Sequence, residues 1–143
     1  MLSNGAEKTV PFPPRPQGRG FSGTLMKQFF TRYCLWRENR FFQGTGGVSQ
    51  GNRQFHFEPA FCDLETGAIY PSCHGDGSPA SCHLLDGLPP NLAVARDGKG
   101  HITAVKSSIV AGFIRGGHFY TREEAARAVE NQSSTLWHRF AIS

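Results

Sequence analysis

The chain has 143 residues, a formal charge of +4, 38% hydrophobic residues, 17 glycines and four cysteines. That length and composition suit one ordinary domain, and no apolar run approaches the ~18–20 residues of a membrane span. The charge is divided: residues 1–57 carry eight Lys/Arg against two Asp/Glu, whereas residues 58–143 carry seven against nine, so the basic character belongs to the N-terminal part.

Met1 to Lys8 has no charged region followed by an apolar stretch, so no secretory leader is expected. Reduced thiols and a cytoplasmic location follow. Pro11, Pro13, Pro14 and Pro16 crowd together in a stretch rich in Gly and Ser. Proline at that density fixes φ and removes donors, which predicts disorder or polyproline-like chain over residues 1–24. The string also has the form of a ligand for proline-reading domains, although most such strings are linkers.

From Leu25 to Phe42, six aromatic residues interleave with Lys27, Arg32, Arg37 and Arg40. Apolar residues at 26, 29, 30, 33 and 36 keep a helical spacing, which predicts a short amphipathic helix. Its functional readings are a membrane-surface anchor or a nucleic-acid contact, because aromatic faces stack on bases while arginine neutralises phosphate. Arg32, Trp36, Arg37 and Arg40 are the candidates for that contact. The plainer reading puts the aromatics in the core. Translation beginning at Met26 or later would remove much of the arm, and the change of composition near residue 57 fits such a start. Residues 1–54 are therefore expected to form a disordered, basic, aromatic arm.

Gly44 to Gly51 is glycine-rich, but a phosphate-binding loop needs Lys and Ser/Thr where Asn52 and Arg53 stand. A flexible linker is expected instead. Beyond Phe55 the texture becomes short β-prone runs. Residues 60–63 and 68–70 flank Leu64-Glu65-Thr66-Gly67, the pattern of a hairpin with a left-handed glycine. Asp-Gly pairs recur at 76–77, 86–87 and 97–98, a meander rhythm in which Asp97 to Gly100 joins residues 92–95 to 101–105. Ser108 to Ile114 is a further strand, apolar on both faces and hence central, ahead of a bend at Gly116-Gly117. Thr121-Arg122-Glu123-Glu124 then forms a capping box that starts a helix of about ten residues. Such a helix ends near Asn131 and needs the sheet behind it.

Cys73-His74 and Cys82-His83, with Cys62 upstream, supply ligand types that zinc favours. These five residues are the metal candidates, although their spacing lacks the usual Cys-x2-4-Cys knuckle, and buried cysteines with surface histidines are the commoner outcome. Asp76, Asp86 and Asp97 each precede glycine, which turns require and a calcium loop does not. Ser107, Ser108, His101, His118 and Cys62 lie in no nucleophile elbow, so the balance leans away from an enzyme, with no catalytic residue assigned. The Gly116-Gly117-His118 turn can offer N–H groups to an anion, but a bend is the simpler reading.

Phe61-Cys62-Asp63, Leu85-Asp86-Gly87-Leu88-Pro89, Gly112-Phe113-x-Arg115 and Phe119 to Ala125 resemble short uncharacterised bacterial proteins. The resemblance covers residues 58–130 and implies no activity. The fold expected is a small α+β domain over residues 55–131, an antiparallel meander of three to five strands with one C-terminal helix packed on it and a tail at 132–143. The function expected is a non-enzymatic binding or regulatory module of the cytoplasm without a required cofactor. Zinc binding at 62–83 and nucleic-acid binding through the arm are the alternatives, and a protein partner also fits.

Overall fold

Thr31 closes a strand and opens a helix. In the computed structural model, which describes residues 29–142 and their side chains as far as residue 133, the Thr31 hydroxyl accepts the Cys34 N–H at 3.1 Å. That N-cap divides β1 (Phe29–Thr31) from α1 (Arg32–Phe41). The proline-rich residues 1–24 and Met26 lie outside the described residues.

β1 is the first departure from expectation. Phe30 pairs with Val105, and its side chain is fully buried. Burying one phenylalanine stabilises by about 1.5–3 kcal/mol, which is ample reason for this segment to join the sheet. Phe29–Thr31 thus belong to the described fold, within the stretch 1–54 that was expected to form an arm.

The glycine-rich segment is the second departure, because it is packed. The Thr45 hydroxyl donates to the Phe42 carbonyl at 2.6 Å and accepts the Gly47 N–H at 3.0 Å, while Asn52 Nδ2 donates to the Gly46 carbonyl at 2.7 Å. A Cβ on Gly46 would collide with Val129, and one on Gly47 with the Phe42 ring. These glycines serve close approach, and no slack linker separates α1 from α2 (Ser49–Asn52).

The hairpins follow their turn residues. β2 (Glu58–Asp63) turns at Gly67, φ +79°, into β3 (Ile69–Pro71). β4 (Ala93–Arg96) and β5 (Ile102–Lys106) join through Asp97, whose carboxylate accepts the N–H groups of Lys99 and His101. Asp86, by contrast, lies in a 3-10 turn and accepts the Ile102 N–H at 2.9 Å, so only some of the Asp-Gly pairs join strands. β6 (Ile109–Arg115) does not bend directly into the helix. Gly116 and Gly117, both at positive φ, make a tight hairpin to an additional edge strand, β7 (His118–Thr121).

The described strands form two antiparallel sheets, β1-β5-β4 and β3-β2-β6-β7. The α+β class is as expected, with seven strands. α3 runs Arg122–Ile142, well past Asn131, since its span contains neither glycine nor proline to stop it. Its start is the expected capping box: the Thr121 N–H donates to Glu124 Oε1 at 2.9 Å and the Glu124 N–H to Thr121 Oγ1 at 3.1 Å. Pro59 and Phe61 stand opposite Phe113 and Ala111 on one face of β2 and β6. Along that face, Phe61, Ala111 and Ile109 join Phe30, Leu35, Leu85, Ile102 and Val105 in the main core. Phe113 and Phe57 pack with Ala125 and Val129 of α3 in a second.

Candidate functional site

The cap at Thr31 sets the phase of α1. Cys34 and Leu35 enter the core, and the opposite face presents Tyr33 at 49% exposure and Trp36 at 53%. The sequence pattern had placed residues 33 and 36 with Phe29 and Phe30 on one apolar face. The strand at Phe29–Thr31 breaks that pattern, because it delivers Phe30 inward before the helix starts.

Tyr33 and Trp36 stack, with ring centroids 5.7 Å apart and planes 21° from parallel. The Arg40 guanidinium rests 5.3 Å from the Trp36 ring centroid, a cation–π contact one turn further along. Arg37, half-buried, lies one turn beyond Tyr33. Arg32 is exposed but leans 3.6 Å from Asp97. The four nucleic-acid candidates thus share one helix, with Trp36 and Arg40 in direct contact.

Beneath α1 is a buried polar centre that the sequence did not reveal. Arg122, fully buried, donates through Nε to Glu38 at 3.0 Å and through Nη1 to the Gly47 carbonyl at 2.9 Å. Its Nη2 reaches His83 Nδ1 at 3.3 Å. His83 Nε2 lies 2.7 Å from the Gly112 carbonyl. A guanidinium only donates and a carbonyl only accepts, so His83 is neutral with its proton on Nε2. Burial, then the Arg122 charge, push its pKa down to about 3, against the raising effect of bonds to the Gly112 and Ala60 carbonyls. Burial also lowers the Arg122 pKa, while Glu38 holds the charge in place. The imidazole meets Phe61 and Phe113 edge-on, at centroid distances of 5.3 and 5.1 Å, and so joins the two cores.

Between α1, the glycine loop and the segment Ser81 to His83 opens a cleft of about 810 Å³, with Trp36, Arg40, Arg53, Cys82 and His83 in its walls. Arg53 spans toward the far side, donating to the Ser81 carbonyl at 3.2 Å. Neither Arg53 nor this cleft was foreseen. The available signal was an arginine two residues after the glycine-rich loop.

The metal candidates are dispersed. Cys62 is buried in β2, where burial and then the Asp63 carboxylate raise its thiol pKa. The Cys73 thiol contacts the Pro71 carbonyl at 3.4 Å, Cys82 is exposed, and both nitrogens of His83 are engaged within the protein. His74 lines a different hollow of about 600 Å³ together with Cys73, Asp86 and His101. Among the described residues, no three His, Cys, Asp or Glu side chains form a group able to hold a metal ion.

No helix among the described residues is long and apolar enough to cross a membrane. Compared with protein-family models, with curated proteins and with solved structures, the chain shows no match. Function is therefore read from the chemistry of the surface itself.

Proposed function

We propose that this chain is a small non-enzymatic binding module of the cytoplasm that holds single-stranded nucleic acid across α1. The observation that carries the reading is the half-exposed stack of Tyr33 and Trp36, flanked by Arg37 and Arg40. Aromatic rings left in water cost burial that a core would have supplied, and bases extend such a stack whatever their sequence. Arginines one turn away face the phosphates between those bases. The thiols of Cys34, Cys62, Cys73 and Cys82 are unpaired, which fits a reducing compartment. Arg32 contributes less, because Asp97 already draws on its charge.

Fluorescence anisotropy with a labelled thymidine oligonucleotide of about 12 nucleotides tests this. Affinity is expected to fall with salt, with a log–log slope of about −1.4 to −2.1 for two or three phosphates neutralised. The double variant Arg37→Gln/Arg40→Gln should flatten that slope. A salt-independent affinity, or one the double variant leaves unchanged, would count against α1 as the binding face.

A further inference from the structure

The cleft beside α1 is chemically one-sided. Among the described residues, its charged side chains are Arg40 and Arg53, and no Asp or Glu lines it. Asn39, Gln43 and Gln50 add three carboxamides, which both donate and accept and so match the mixed edge of a nucleobase. A volume of about 810 Å³ falls within the ~300–1,000 Å³ of small-ligand sites.

The walls are also held in place. Asn52 and Thr45 brace the glycine loop through bonds to Gly46, Gly47 and Phe42. Arg53 is oriented by one bond to Ser81, which leaves most of its five donors for another acceptor. Arg40 rests on the indole of Trp36, a contact that a flat aromatic ligand can take over.

We infer that this cleft is a pocket for one nucleotide, a nucleoside monophosphate unit, whose base takes the place of Arg40 on Trp36 and whose phosphate meets Arg40 and Arg53. The inference rests on the α1 reading and gives it a defined subsite. Binding swaps a cation–π contact for a base stack and frees a guanidinium for a charge-assisted bond, so each partner displaced finds another. The lining carboxamides are the groups that would sense which base enters.

The test reads Trp36 emission in a Trp137→Phe background, titrated separately with adenosine 5′-monophosphate, adenosine and inorganic phosphate. The monophosphate is expected to quench, and to bind at least about tenfold more tightly than either half alone. Arg53→Gln, at an exposed position, should weaken it by about tenfold or more while the far-ultraviolet spectrum stays unchanged. Equal affinity for inorganic phosphate would overturn the pocket in favour of a bare anion site, and so would indifference to Arg53→Gln. Oligonucleotide binding in the same background, weakened by Tyr33→Ala but without any response to the monophosphate, would overturn the pocket and leave the α1 face standing. A monophosphate response sensitive to Arg53→Gln, without oligonucleotide binding, would support the pocket and overturn the strand reading.

Discussion

His83 is constrained at both ring nitrogens, since Gly112 offers it only an acceptor and Arg122 only a donor. Its pKa of about 3 in the fold lies below the ordinary 6.5. Between those values the unfolded chain takes up a proton that the folded chain refuses, so acid favours unfolding. Stability is therefore expected to decline from pH 6.5 toward about 4.5, above most carboxylate titrations, with a slope of at most about 1.4 kcal/mol per pH unit. Urea unfolding across that range measures it, and His83→Gln should flatten the profile. A wild-type curve already flat there would mean that the imidazole accepts a proton in the folded state. Thr121 makes a smaller local contribution. Thr121→Ala removes one half of the reciprocal cap and is expected to cost about 1 kcal/mol, seen as a lowered melting temperature.

Elements were legible in the sequence where their cause is local. The capping box spans four residues, and the turns at Gly67 and at Asp97 to Gly100 each lie within a few. Where the cause is distant, the pattern misled. Phe29 and Phe30 fit a helical period, but pairing with Lys106 and Val105 made them a strand. The glycines at 44–51 looked like slack because nothing nearby announced that α3 would press on them. Val129 stands against Gly46, and the Arg122 carbonyl lies beside Gly47. The buried centre joins Glu38, His83 and Arg122, which no short window contains. Packing at Gly46 makes a direct prediction. Gly46→Ala should destabilise by about 1–3 kcal/mol through overpacking, whereas Gly75→Ala, with open space around it, should stay within about 0.5 kcal/mol. Equal melting temperatures for the two variants would show that the loop yields freely.

Across the whole molecule, the division of charge and the division of labour coincide. Among the described residues, the arginines of the basic part, Arg32, Arg37, Arg40 and Arg53, stand on α1 and just after the glycine loop, outside the two cores. The sheets, α3 and the Arg122 centre hold that surface: Cys34 and Leu35 anchor α1 from below, and Glu38 is tied to the first residue of α3. Presenting Tyr33 and Trp36 to solvent is thus a property of the fold, set by the Thr31 cap. The central claim is that these two rings stack on bases. It is tested most directly by the affinity of Tyr33→Ala and Trp36→Ala for a single-stranded oligonucleotide, beside Leu64→Ala at an exposed apolar position on the β2–β3 turn. Each ring removed is expected to cost about 1–3 kcal/mol of binding while Leu64→Ala binds like the parent. Parent-like affinity in both ring variants, or a parent that does not bind, would contradict the claim.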